Sequence, residues 1–190
     1  MIVIGADHRG YKLKEEVKRF LEEKQIEYKD VGTNSEERTD FPIMAASACE
    51  AIQNKEADCG ILICGSGLGM SMVANKYKGI RCAMCYNEET AKEAKAHHNI
   101  NVLALPADVL NISEAVKIIR VWLATEFLNG RYSERLQMIK DIEDKLQNEK
   151  VGDKEVKKMT GTDFEKVVYD SLIEAGFEKE EITHSTQKFP

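Results

Sequence analysis

Residues Gly60-Ile-Leu-Ile-Cys64 are apolar at every position, with no alternation of inward and outward character. A strand covered on both faces tolerates that pattern, so the chain needs a sheet with helices above and below it. Ile80–Tyr86 and Asn101–Leu105 have the same character. Ile2–Ile4 and Ile26–Val31 supply two further short runs, the second closed by Gly32-Thr-Asn.

Amphipathic stretches separate the runs. Tyr11–Lys24 places Leu13, Val17, Phe20 and Leu21 on one helical face. Asp40-Phe-Pro42 opens a helix with proline in its first turn, and Ala45, Ala46, Cys49 and Ile52 give it a small-residue face for close packing on a sheet. Helical patterns over Leu68–Lys76, Glu88–His98 and Ser113–Leu128 follow, with Asn129-Gly130 as a natural stop for the last and Arg131–Gln147 as one more helix. This βαβα order predicts a parallel sheet with helices on both faces, right-handed crossovers, and ligands at the carboxyl ends of the strands. Asp7, His8 and Cys64 all fall at such ends.

From Asn148 the chain turns polar and charged, which reads as a linker. Beyond it, Thr162-Asp-Phe-Glu165 has a capping-box pattern, Phe164, Val167, Val168, Leu172 and Ala175 form an apolar stripe, and Gly176 ends it. The expected organisation is therefore a domain over 1–147 and a charged linker with an amphipathic helical tail over 148–190, the tail docking on the body or on a partner subunit.

The formal net charge is −6 and no Lys/Arg stripe is present, so nothing draws the chain to a nucleic-acid backbone. The amino terminus meets Asp7 and His8 too soon for a signal peptide, and no apolar stretch is long enough to span a bilayer. Five cysteines are an odd number, expected to stay reduced in a cytoplasmic protein. Cys82-Ala-Met-Cys85 fits C-x-x-C, but alternation in a strand sends the two thiols to opposite faces, so it is neither redox pair nor metal clip.

Four groups of residues could carry chemistry. Cys64 meets the N–H groups of Gly65-Ser-Gly-Leu-Gly69, which would favour its thiolate and make it a general base. The plainer alternative is a buried strand cysteine beside a packing turn. The loop is not a Walker motif and lacks G-x-G-x-x-G spacing, because Gly65, Gly67 and Gly69 fall every second residue. Its amides suit an enediolate or another small anion. Asp7-His8 would lie beside that loop if the two strands are neighbours, or else form a satisfied surface pair. His97 and His98 end a helix with their side chains about 100° apart, which disfavours a shared metal and leaves one as a proton carrier. Arg131 and Arg135 project from one face of a first helical turn, where the dipole disfavours arginine unless an anion compensates.

Together the motifs Gly-Ala-Asp7-His8-Arg-Gly, Glu37-Arg-Thr-Asp40-Phe-Pro, Ile-Cys64-Gly-Ser66-Gly-Leu-Gly, Ala74-Asn-Lys76-x-x-Gly-Ile-Arg81, His98-Asn99 and Gly130-Arg131-x-x-x-Arg135 closely resemble the type B ribose-5-phosphate isomerases. That family also contains galactose-6-phosphate isomerase subunits, and the resemblance covers Met1 to Gln147. It implies a Rossmann-like (flavodoxin-like) three-layer α/β/α sandwich with a five-stranded parallel sheet, assembled as a homodimer or dimer of dimers with sites shared between subunits. It also implies metal-free aldose–ketose isomerisation of a phosphorylated sugar, with no cofactor.

By position, the resemblance makes Cys64 the C1/C2 proton carrier, His98 with Asp7 the ring-opening pair, and Ser66 a hydrogen-bonding group near the reacting end. Gly65, Gly67 and Gly69 would stabilise the enediolate, Asn99 would hold sugar hydroxyls, and His8, Arg131 and Arg135 would grip the phosphate. Relatives with a glutamate base carry it where this chain has Met70, which places the chain with the cysteine users. Asp108 stands where the family commonly has a phosphate-binding arginine. The leading expectation is ribose 5-phosphate isomerisation. A six-carbon sugar phosphate (galactose or allose 6-phosphate) and a non-catalytic sugar-phosphate-binding module are the alternatives.

Overall fold

The apolar runs become five strands in a computed structural model that describes residues 1–152 and Asp170. They are β1 (Ile2–Ala6), β2 (Tyr28–Asp30), β3 (Cys59–Cys64), β4 (Cys82–Met84) and β5 (Val102–Pro106), all parallel, in the order β2-β1-β3-β5-β4. The helices are α1 (Tyr11–Glu23), α2 (Phe41–Gln53), α3 (Leu68–Ala74), α4 (Glu88–His98), α5 (Ile112–Ala124) and α6 (Arg131–Gly152). Met1–Asp141 forms one compact unit.

Side chains along β1, β3 and β5 alternate between two cores. Ile2, Ile4, Ala6, Ile61, Ile63, Leu103 and Leu105 pack with α1, α4 and α5, whereas Val3, Leu62, Cys64, Val102 and Ala104 pack with α2 and α3. The central strands thus have no outward face, which explains their unbroken apolar runs. Winding explains which helix lies where. The steps β2 to β3 and β3 to β4 run one way across the sheet over α2 and α3, while β1 to β2 and β4 to β5 run the other way over α1 and α4. Each change of direction brings a change of face, so the crossovers keep a single hand, as the right-handed rule requires. The direction first reverses between β1 and β3, and the crevice at their carboxyl ends is the natural ligand site.

Local chemistry sets the helix starts. Asn87 and Asn111 each accept a backbone N–H in a reciprocal capping box, from Thr90 and Glu114 respectively. Cys85 joins the core under α1, α4 and α5 while Cys82 packs on the other, so the two thiols of the C-x-x-C segment do lie on opposite faces. Burial raises the pKa of both, and of Cys49 and Cys59 as well, which keeps those thiols protonated.

The structure differs from the sequence expectation in several places, among them the second strand, which pairs only over Tyr28–Asp30 rather than Ile26–Val31. The strand expected over Ile80–Tyr86 pairs only through Cys82–Met84 and lies at the sheet edge, half-buried rather than covered, because β5 inserts between it and β3. The buried face of α2 is Ala45, Ala48, Cys49 and Ala51; Ala46 and Ile52 sit at its margin. The helix expected to reach Leu128 ends at Ala124: Thr125 is extended, and the Leu128 N–H donates to Ala96 O of α4 at 3.0 Å instead of closing another turn. Asn129 and Gly130 both take positive φ and lead into α6, which continues to Gly152 rather than stopping at Gln147. The capping box at Thr162 and the Phe164–Ala175 stripe lie outside the described residues.

One buried ionic group sits beside β1. Lys14 is fully buried, and its ammonium meets Asp30 at 2.6 Å and Glu15 at 3.2 Å, with Lys18 also 3.0 Å from Asp30. Burial alone would raise the Asp30 pKa, but hydrogen bonds from both ammonium groups and from the Gly32 N–H hold it below the ordinary value. A carboxyl depressed in the folded state contributes stability above its unfolded pKa and loses it as pH falls through the folded one. Asp30→Asn should therefore lower the melting temperature at neutral pH, and the deficit should shrink as the pH falls below about 4, where Asp30 of the unfolded chain takes up its proton, and vanish below the depressed pKa of the folded carboxyl. A deficit constant from pH 7 to pH 2.5 in calorimetry would show that the charge is not the source.

Candidate active site

The parallel register of β1 and β3 brings Asp7 and Cys64 side by side. Ala6 pairs with Ile63, the next N–H, that of Asp7, donates to Ile63 O at 3.2 Å, and neighbouring strands are about 4.8 Å apart. Asp7 is buried, and its Oδ1 accepts the N–H groups of Arg9 and Gly10, each at 3.0 Å. Oδ2 takes part in neither of these bonds. His8 is held by Thr39, whose Oγ1 accepts the His8 N–H at 3.1 Å and whose main chain meets the ring at Nδ1. Nε2 is the ring nitrogen those contacts do not use.

Cys64 closes β3 at the rim of the core beneath α2 and α3, which also holds Met70. Its carbonyl accepts the Ala107 N–H and the Gly65 carbonyl accepts that of Asp108, both at 2.9 Å, tying the turn to the end of β5. Within the turn the Leu68 N–H reaches Ser66 Oγ at 3.4 Å, and Ser66 itself is exposed. The N–H groups of Gly65, Ser66 and Gly67 have no acceptor among the described residues. A row of unengaged donors beside a thiol is the arrangement an oxyanion needs. Gly67 adopts φ +72°, and a Cβ there would stand 2.7 Å from Met84 Cγ, so the turn admits only glycine at that point. Gly69 lets the Phe41 ring of α2 lie against α3, where a Cβ would approach it to 2.8 Å.

The remaining candidates lie at the other edge of the sheet. Because β4 ends at the carboxyl edge and α4 follows it, α4 runs back toward the strand starts. Asn99, which caps α4 at φ 44°, receives Arg81 Nε on its carbonyl at 2.9 Å, and Asn101 O accepts the N–H of Gly60 at the beginning of β3. Gly60 and Cys64 are about 13 Å apart along the strand, at about 3.3 Å per residue. His98 is exposed at the end of α4, and His97 stacks on Tyr132 with ring centroids 4.5 Å apart. Arg131 and Arg135 both lie over that tyrosine, at 5.0 and 5.8 Å. One chain therefore assembles Asp7, His8, Cys64, Ser66 and the glycine turn at the carboxyl edge, and His98, Asn99, Arg131 and Arg135 at the amino edge.

Thr39 and Tyr132 were missed as positioning residues. Tyr132 had a signal, being an aromatic between two arginines in a first helical turn; Thr39 had none apart from its place in a motif.

A family model described as Ribose/Galactose Isomerase matches residues 2–139. The chain belongs to this family. It is 40% identical to ribose-5-phosphate isomerase B of Escherichia coli over 142 residues, covering 75% of this chain and 95% of that one. Among solved structures, ribose-5-phosphate isomerase B of Clostridium thermocellum is 42% identical with a TM-score of 0.75, covering 76% of this chain and 98% of that one. The Mycoplasma genitalium ribose-5-phosphate isomerase B with bound ribulose 5-phosphate is 37% identical with a TM-score of 0.72, covering 75% and 95%. The all-parallel five-stranded sandwich implied by the sequence motifs is thus the fold of this family.

Proposed function

We propose that this isomerase interconverts ribose 5-phosphate and ribulose 5-phosphate by ring opening and enediolate proton transfer. The observation that carries the reading is that Cys64 ends β3 in register with the buried Asp7 at the end of β1, and is followed by three N–H groups that have no acceptor among the described residues. Asp7 Oδ2 takes the anomeric hydroxyl proton while His98 protonates the ring oxygen, which opens the furanose. The Cys64 thiolate then removes the proton from C2, and the electron pair of that bond moves toward O1. The amides of Gly65, Ser66 and Gly67 hold the developing charge, and the Ser66 hydroxyl donates near it. Returning the proton to C1 while the O2 hydroxyl proton passes to O1 leaves C2 as the ketone and completes the exchange with no net oxidation. His8, Arg131 and Arg135 hold the phosphate and Asn99 the sugar hydroxyls. No cofactor or metal is needed for these steps.

The separation of the two residue groups supports a site shared between copies. Helix α4 and the start of α6 in one subunit would complete the carboxyl edge of another, giving a homodimer or a dimer of dimers. The end of the family match at residue 139 supports the division into an isomerase domain over 1–147 and a tail over 148–190. Five free thiols accord with a cytoplasmic place in pentose phosphate metabolism, and among the described residues no helix is long and apolar enough to cross a membrane.

Side-by-side kcat/KM values on ribose 5-phosphate, allose 6-phosphate and galactose 6-phosphate test the substrate. The pentose should lead by about tenfold or more, a difference of about 1.4 kcal/mol in transition-state binding. A hexose lead would move the chain to the six-carbon branch, and no turnover of any of the three would leave a binding module.

A further inference from the structure

We propose that Arg9 is a substrate-binding residue of this site, held by Asp108 across Gly65 until the phosphate of the sugar recruits it. The inference rests on the sugar-phosphate reading above and adds a residue to it. Arg9 follows the end of β1, and its N–H is bonded to the buried Asp7 carboxylate, so its backbone is fixed where the site begins. Its guanidinium forms an ion pair with Asp108, the second residue after β5. Asp108 is itself anchored, its N–H donating to Gly65 O at 2.9 Å.

Gly65 shows what the pair occupies. It is absent from the residues with positive φ, so its backbone does not demand glycine. A Cβ there would stand 2.5 Å from Cζ and Nε of Arg9 and 2.7 Å from Oδ2 of Asp108. The glycine directly after Cys64 is thus the floor on which the ion pair lies. Removing the side chain at 65 brings a guanidinium against the base of the anion-holding turn.

The pair is not placed for stability. The two side chains are 57% and 44% exposed, and ion pairs that exposed contribute little to folding. An arginine has five N–H donors, and its fork matches two phosphate oxygens at once. A phosphate dianion therefore competes well for the guanidinium against one solvated carboxylate. The geometry of the β1 end supplies the other side of the cradle: His8 is pinned toward Thr39 and Arg9 toward Asp108, so one short turn spreads an imidazole and a guanidinium to either side.

The test uses the full-length protein with Arg9→Met and Asp108→Asn. If Arg9 binds phosphate, Arg9→Met raises KM for ribose 5-phosphate about tenfold or more with kcat within about threefold, and clearly reduces the rise in melting temperature that inorganic phosphate gives the parent. Asp108→Asn, which removes the competing carboxylate, leaves KM equal or lower. A KM for Arg9→Met within twofold of an active parent, or equal losses in both variants, would overturn the proposal by making the pair merely structural. Phosphate protection is read without turnover, so a parent inactive on every sugar phosphate would count against the isomerase reading while the protection by phosphate still decided Arg9.

Discussion

Cys64→Ala should lower kcat on ribose 5-phosphate by about 10²–10⁴-fold, the range a positioned general base contributes. The same variant should stop solvent deuterium entering the substrate at C2, because the proposed mechanism gives that proton to the sulfur. Stability should change little by comparison. Cys64 sits at the rim of its core, 5% exposed where Leu62 is sealed at 0%, so losing one sulfur atom should cost about 1 kcal/mol, or about 2–4 °C in melting temperature. Cys64→Ser separates size from acidity: the hydroxyl fits but does not ionise near neutral pH, so the serine variant should be nearly as inactive and better folded. Turnover by either variant within threefold of the parent would remove the thiol from the reaction.

The chemistry at the carboxyl edge was legible because each part of it is local. Gly60–Cys64 declares a buried strand, Gly65–Gly69 a tight turn after it, and Asp7-His8 another strand end. Once the sheet is known to be parallel, all three share an edge. What remained hidden depends on strand order. Nothing within Ile80–Tyr86 announces that β5 will come between it and β3, because the run is as apolar at the sheet edge as a central one would be. The early end of α5 was equally hidden, since the Leu128 bond to Ala96 is a contact between distant segments that overrides a continuing helical pattern. Arg9 looked like one more surface charge. Its role emerges only when β1 and β5 are seen flanking β3, which puts Arg9 and Asp108 on either side of Gly65.

The same topology explains why His98 could be named but not placed. A helix that follows a parallel strand must run back toward the strand starts, so a residue ending α4 cannot reach the carboxyl edge of its own sheet. The consequence is measurable. Consider a dimer purified through two different tags, with Cys64→Ala in one subunit and His98→Ala in the other. If each site draws Cys64 from one subunit and His98 from the other, one site carries both substitutions and the second carries neither. The dimer should then recover about half the parent's activity from two chains that are each inactive alone, a gain of about 10²-fold or more over either homodimer. If both residues acted within one chain, every site would hold one defect and the mixed dimer would be no more active than its parts. Repeating the experiment with Arg131→Ala in place of His98→Ala should give the same recovery, because Arg131 is joined to His97 through Tyr132 and lies at the same edge. Recovery with His98→Ala but not with Arg131→Ala would place Arg131 in the same site as the Cys64 of its own chain, while leaving His98 shared between subunits.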